Sequence, residues 1–300
     1  MDINPATLTQ NLALFQSQVL GSLFGASASD SGTAGVGDIF STLLAQQTGR
    51  NKTDTSLTAL LNPAKDANGL SPTGRNLALF NPEAAYNFAT FINSRDVLYK
   101  AQFSELSQIK SGVSQLQIAG QGLGDISTNT QPAGVEALLQ NFVGTYNPWR
   151  ASFNADIQQG GLLDHVQAAE VSLHELEQSV SNRFFGAQDG VRGLSDLGIS
   201  IDPSTHFATL DSQQLAATLS ANPQGAVNAI HAFSSNFAKS AALLNSDNNF
   251  IPNQLNNLSR VIHYIDDHKV ALTQEFGTGD PAAPTGKVAQ ALAAYNQSYS

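Results

Sequence analysis

Near residue 265 four side chains, His263, Asp266, Asp267 and His268, are of the types that bind divalent metals. On a helix His263 and Asp267 stand one turn apart and can share an ion, while His268 falls off that face. A solvated helix face accounts for the same four residues. Glu170 and His174 repeat the spacing and have the same plain explanation. His174-Glu175 opens like the HExxH zinc signature, but Leu176, Glu177 and Gln178 follow with no second histidine. Ser195 sits between glycines in GLSDLG as a nucleophile would, yet the GxSxG elbow is absent and a loop entering a strand fits better. GAQDGVRG at 186–193 lacks the GKS or GKT ending of a phosphate loop and reads as a turn. Asp247, Asn248 and Asn249 resemble a fragment of a calcium loop without its glycine or distal glutamate, again a turn. Phe142, Tyr146 and Trp149 can stack a ligand, but aromatic residues at helical spacing more often form core. No set of residues argues for an enzyme, a cofactor or a metal, and none is expected.

Composition narrows the partners. The formal net charge of −10 disfavours nucleic-acid phosphates and anionic membrane surfaces, which call for clustered Lys and Arg. The acidic excess is densest between Asp125 and Asp189, where Glu136, Asp156, Asp164, Glu170, Glu175 and Glu177 are opposed only by Arg150 and Arg183. There is no cysteine, so disulfides, thiolate metal sites and a Cys nucleophile are excluded. The apolar fraction of 41% suffices for a core, and only 13% of residues are charged. No cleaved signal peptide is expected in MDINPATLTQ, which lacks a basic start, and no run approaches the ~20 apolar residues of a membrane span.

The elements that must position these residues are mostly helical. Leu8, Leu12, Phe15, Val19 and Leu23 recur at helical spacing before a flexible stretch at 25–37. Residues 1–80 read as helices strung on mobile loops. Asn81-Pro82 starts the longest helix, Asn81 as cap and Pro82 in the first turn. Ile92, Tyr99, Leu106, Ile109, Val113 and Leu116 follow the 3-4 alternation of a coiled-coil seam. Phe88, Leu98 and Phe103 widen that face toward a bundle, and glycines at 120, 122 and 124 are expected to loosen its end. Val135, Leu138, Leu139, Phe142, Val143 and Tyr146 restart the pattern up to Pro148, which should kink or end the helix, while Trp149, Phe153 and Ile157 keep the spacing beyond it. Leu162 to Phe184 predicts another amphipathic helix, with helices at about 225–244, 252–276 and 288–295 to follow. GTGDPAAPTG after Phe276 reads as a linker. The expected domains are therefore 1–80, a helical core at 81–276, and a linker with a short helix at 277–300.

Residues 194–227 break the helical monotony. Leu197, Ile199 and Ile201 alternate with polar residues as a half-buried strand does. Asp202-Pro203-Ser204 is turn chemistry, Phe207 to Leu210 can return, and Asp211 can cap a helix carrying Leu215 and Leu219. The pattern Leu194, Leu197-Gly198-Ile199, Leu210-Asp211, Leu215, Leu219, Asn222-Pro223 and Val227 resembles the C-terminal region of flagellar hook-associated protein 2, the bacterial filament-cap family. Phe142, Val143, Tyr146 and Asn147 match that family's FVxxYN motif. The heptads at 83–123 look like its N-terminal coiled-coil segment. The family's outer β domains would fall where this chain has only the loop at 124–134, so the likeness is to a cap core without them.

The resemblance implies a mainly α fold, an elongated antiparallel helix bundle or coiled coil with one small β-hairpin near residues 197–210. It implies a non-catalytic, flagellum-associated structural protein that contacts itself or axial proteins such as flagellin. Delivery would be through the flagellar export machinery to the outside of the cell, without a cleaved signal. The seam from Ile92 to Leu116 would then pack either within the chain or on neighbouring subunits. The alternative is a monomeric adaptor or secretion-associated binding protein that kept the helical core and stays in the cytoplasm.

Overall fold

The computed structural model describes residues 70–183 and 189–299. The helical stripe at 8–23, the loops up to residue 69 and Phe184 lie outside the described residues. The rest is mainly α: seven helices and one two-stranded antiparallel sheet among the described residues. In chain order the helices are α1 (Pro82–Gly122), α2 (Pro132–Asn154), α3 (Gln167–Ser181), α4 (Ser212–Ala221), α5 (Pro223–Leu244), α6 (Phe250–Phe276) and α7 (Gly286–Tyr299). Strands β1 (Ile199–Ile201) and β2 (Ala208–Leu210) lie between α3 and α4. The chain divides into two compact units, residues 70–90 with Val270–Asp280, and Phe91–Lys269 with 281–299.

In the smaller unit the start of α1 is capped as its sequence dictates, the Asn81 side chain accepting from the Ala84 N–H at 3.0 Å. The last turn of α6 leaves carbonyls without helical partners. Asn76 Nδ2 donates to two of them, those of Gln274 and Glu275, at 2.9 and 3.0 Å. Arg75 pairs with Glu83 at 2.5 Å and lies 4.3 Å over the Tyr86 ring. The Thr278 N–H donates to the Gly74 carbonyl, and the Asp280 N–H to Thr90 Oγ1. The first residues of the expected linker are therefore tied down by hydrogen bonds from their own N–H groups.

In the larger unit a single main cluster gathers buried residues from α1 to α6 and the hairpin. Leu106, Ile109, Val113 and Leu116, the middle and end of the predicted seam, are fully buried in it, whereas Ile92 and Tyr99 are half-buried. The helices approach closely where glycine permits. A Cβ on Gly112 would strike the Trp149 ring, and one on Gly120 would lie 2.7 Å from Phe237. Gly120 thus does not loosen the end of α1, which continues to Gly122. It lets α5 come near. At the far end of α5, Asn245 Nδ2 donates to the Lys110 carbonyl and to Ser114 Oγ at 3.0 and 2.9 Å.

Two expectations about boundaries are corrected, and at Pro148 the helix does not end. Helix α2 runs through Pro148 to Asn154. Proline removes the N–H that would bond the Gly144 carbonyl, but Gly144 and Pro148 both lie on the exposed face, where solvent can take that carbonyl. Trp149, Arg150 and Phe153 then stay on the buried face and hold the last turn. Helix α3 begins at Gln167, not Leu162, because Gly160 at φ 81° and the turn at Gly161 carry the chain past Leu162 and Leu163 before helix can start. Leu197 belongs to a 3-10 turn, Leu194–Leu197, and the strand proper starts at Ile199.

Candidate functional site

The two segments that carry the family-like motif meet at the hairpin. Phe142 and Tyr146 are fully buried on α2. Phe142 stands edge-on to Phe233 and Phe237 of α5, with ring centroids 5.2 and 5.1 Å apart. Each such pair contributes about 0.5–1.5 kcal/mol beyond area burial. Val143 is partly buried against the same cluster. Asn147 does something different. Its Nδ2 donates to the Ala208 carbonyl at 2.9 Å, and its Oδ1 accepts from the Ala208 N–H at 2.7 Å. Strand β1 pairs Ile199 with Leu210 and Ile201 with Ala208. On the other edge of β2 the Asn147 amide occupies the hydrogen-bonding place of a third strand.

The second segment folds by a chain of local devices. Gly193 leads into the 3-10 turn, which ends at Gly198 with φ 86°. A Cβ at Gly198 would lie 2.5 Å from the Asp211 carbonyl, so glycine is required twice over, by backbone angle and by space. The Asp211 N–H returns a bond to the Gly198 carbonyl at 2.9 Å. Its carboxylate caps α4 by accepting from the Gln213 and Gln214 N–H groups. Asp202 accepts from the Ser204 and Thr205 N–H groups, which closes the hairpin turn and holds its carboxyl below the ordinary range. Asn222 ends α4 and caps α5 by accepting from the Gly225 N–H at 2.9 Å, with Pro223 in the first turn. Leu194, Leu197, Ile199, Leu215 and Val227 are buried, and Leu210 and Leu219 pack on the core from its margin. Every motif position is engaged in building the joint between α2, the hairpin, α4 and α5.

Buried charge sits beside this joint. Arg150 is 4% exposed, and its Nη2 lies 3.7 Å from Glu177 Oε2. The other Glu177 oxygen is 3.1 Å from His206 Nδ1, in the hairpin turn. Burial pulls the Arg150 guanidinium below its ordinary value, and Glu177 opposes that pull. Burial also pushes the Tyr146 hydroxyl well up, so it stays neutral. Arg150 Nε, Arg150 Nη1, Tyr146 Oη and Trp149 Nε1 are buried without a hydrogen-bond partner among the described residues. A second buried set is made by Glu105 on α1 and Asp156 after α2, both 2% exposed, facing Lys287 of α7. Burial raises both carboxyls above the ordinary range and Lys287 partly offsets it, while Asp156 adds to the rise at Glu105.

The residues singled out for chemistry do not converge. His263, Asp266, Asp267 and His268 are all exposed on α6. His263 Nδ1 lies 3.2 Å from Ser259 Oγ, His268 Nδ1 lies 2.9 Å from the Tyr264 carbonyl, and Asp266 pairs with Lys100 at 2.8 Å. Glu170 and His174 are exposed on α3. Among the described residues no group of three or more His, Asp or Glu is arranged to hold a metal. Ser195 is in the 3-10 turn, its carbonyl accepting from Gln214 Nε2. Trp149 lies in the core, 6.0 Å from Tyr146 between centroids. Two open clefts, one lined by Ser179, Asn236 and Lys239 and the other by Ser107, Lys110 and Ser259, hold no carboxylate or histidine. No described helix is long and apolar enough to cross a membrane.

The roles of Asn147, of Arg150 with Glu177, and of Glu105 with Asp156 and Lys287 were not legible in the sequence. The motif had marked Asn147 without saying what it bonds, and the acidic middle of the chain contains Asp156 and Glu177. Glu105 and Lys287 are too far apart in sequence for any periodicity to join them. The fold defines the class, a mainly α-helical protein with one small β-hairpin among the described residues. Compared with known protein families, curated proteins and solved structures, the chain matches none.

Proposed function

We propose that this is a non-catalytic, flagellum-associated structural protein of filament-cap type. It acts through helix contacts with itself or with axial proteins such as flagellin, reaching them through the flagellar export machinery. One observation carries the reading. The residues that match the family's two motifs form one joint, with Asn147 of the first motif bonded to Ala208 in the hairpin of the second. That the matched residues converge in space supports the resemblance more than matching letters alone do. The test is a deletion strain. Expected are short or missing filaments and flagellin lost to the medium as monomer, restored by the wild-type gene. Filaments of normal length and number in the deletion strain would reject the role.

A second reading is favoured by a different observation. Leu106, Ile109, Val113 and Leu116 are fully buried inside one chain, so those seam positions offer no surface to a neighbouring subunit. This suits a monomeric adaptor or secretion-associated binding protein in the cytoplasm. Light scattering at rising concentration separates the two. Growth in mass supports the self-assembling form, and a constant monomer mass supports the adaptor.

A further inference from the structure

Helix α7 is attached unlike the helices around it. Along Gly286–Tyr299 only Ala291 is buried, whereas α5 is buried along its length. Four of its contact residues, Lys287, Ala291, Tyr295 and Tyr299, form a stripe, each four residues after the last, and Val288 packs beside it. Ala291 packs with Ala101 and Leu162 in a small cluster separate from the main core. Tyr295 and Tyr299 stand edge-on to Phe103, with centroids 5.8 and 5.3 Å away, and stack on each other at 5.0 Å. In the first turn Lys287 Nζ lies 3.6 Å from Glu105 Oε2 and 3.4 Å from Asp156 Oδ2.

Those two oxygens have no hydrogen-bond partner among the described residues. A buried carboxylate without a partner charge is strongly destabilising, and the cation facing both comes from α7. The lysine also stands at the wrong end of its own helix, since a positive charge in the first turn opposes the helix dipole. Its position is therefore suited to the carboxylates and not to the helix. The Lys287 side chain is 43% exposed, so solvent can compete for it.

We propose that α7 is a detachable strap. It is gripped by charge at Lys287 and by ring contact at Tyr295 and Tyr299, over an acidic and partly apolar face of Glu105, Asp156, Ala101, Leu162 and Phe103. The occupant for which that face is built is this chain's own α7. Release uncovers two carboxylates and an aromatic ring while the main core, to which α7 lends only Tyr295 at its margin, stays packed.

Hydrogen exchange followed by mass spectrometry on the full chain tests the proposal. Lys287→Gln should speed exchange across 286–299 by up to about 5-fold, the upper end for one solvent-accessible ion pair, with 223–244 on α5 unchanged. Tyr299→Ala, an exposed position outside the core, should speed the same segment and spare α5. In a Glu105→Gln, Asp156→Asn background, Lys287→Gln should add no further acceleration. The strap is overturned if 286–299 and 223–244 accelerate together, if Lys287→Gln leaves 286–299 at its wild-type rate, or if its effect is unchanged in the neutral-face background.

Discussion

Replacing Asn147 by alanine removes both hydrogen bonds to Ala208 without altering the strands. The Ala208 residue is 1% exposed, and its N–H and carbonyl point away from β1 toward Asn147. Truncation leaves a donor and an acceptor unpaired, at about 1–3 kcal/mol for each buried group. Asn147 itself is only half-buried, so water can reach part of the gap and the upper limit will not be met. The expected loss is about 2–4 kcal/mol, a large share of the 5–15 kcal/mol typical of a domain. Trp149 is the only tryptophan and is 7% exposed, so its fluorescence during urea unfolding reports on this unit directly. Asn147→Asp should also destabilise, because it keeps an acceptor for the N–H but sets a carboxylate against the Ala208 carbonyl. Exchange of the Ala208 amide should quicken in both variants. An unfolding free energy from urea titration within about 0.5 kcal/mol of wild type for Asn147→Ala, with the Ala208 amide still protected, would refute the third-strand role.

Pro148→Ala should stabilise the protein by about 1–3 kcal/mol, since it restores an N–H for the Gly144 carbonyl on an exposed helical face; thermal melting reads the gain. Gly120→Ala should cost about 1–3 kcal/mol, because its Cβ would lie 2.7 Å from the Phe237 ring in a packed interface; an unchanged melting point would mean that α1 and α5 do not approach as described. The acid dependence of stability has a defined sign. Glu105 and Asp156 have carboxyls raised by burial, so the folded state binds more protons than the unfolded chain. Their contribution is full below the ordinary carboxylate value of about 4 and is lost as pH rises through the raised one. Glu105→Gln with Asp156→Asn should flatten the decline of urea stability over that window, leaving the part due to Asp96 and Glu275, which burial also raises.

The local devices are legible in the amino-acid sequence. Asp211, Asn81 and the Asp202 turn do what their side chains dictate, because a cap or an Asx turn is decided by neighbours a few residues away. The seam at Leu106 to Leu116 is legible because a 3-4 alternation must face one side of a helix. What it faces is not. Periodicity fixes a buried face but not its partner, and the partners here include Trp149 and Phe237, admitted by Gly112 and Gly120. Pro148 leaves two readings open for a related reason, since the cost of a missing N–H depends on whether its carbonyl partner faces solvent, and no local pattern says so.

The sequence by itself determined the helical class, the single hairpin and most of the caps, since these depend on spacing and on side chains next to their own backbone. Tertiary structure alone decided that Asn147 completes an edge of β2 and that Lys287 serves Glu105 and Asp156. These contacts join residues far apart in the chain. Their energies depend on burial and distance, which exist only once the chain has closed on itself.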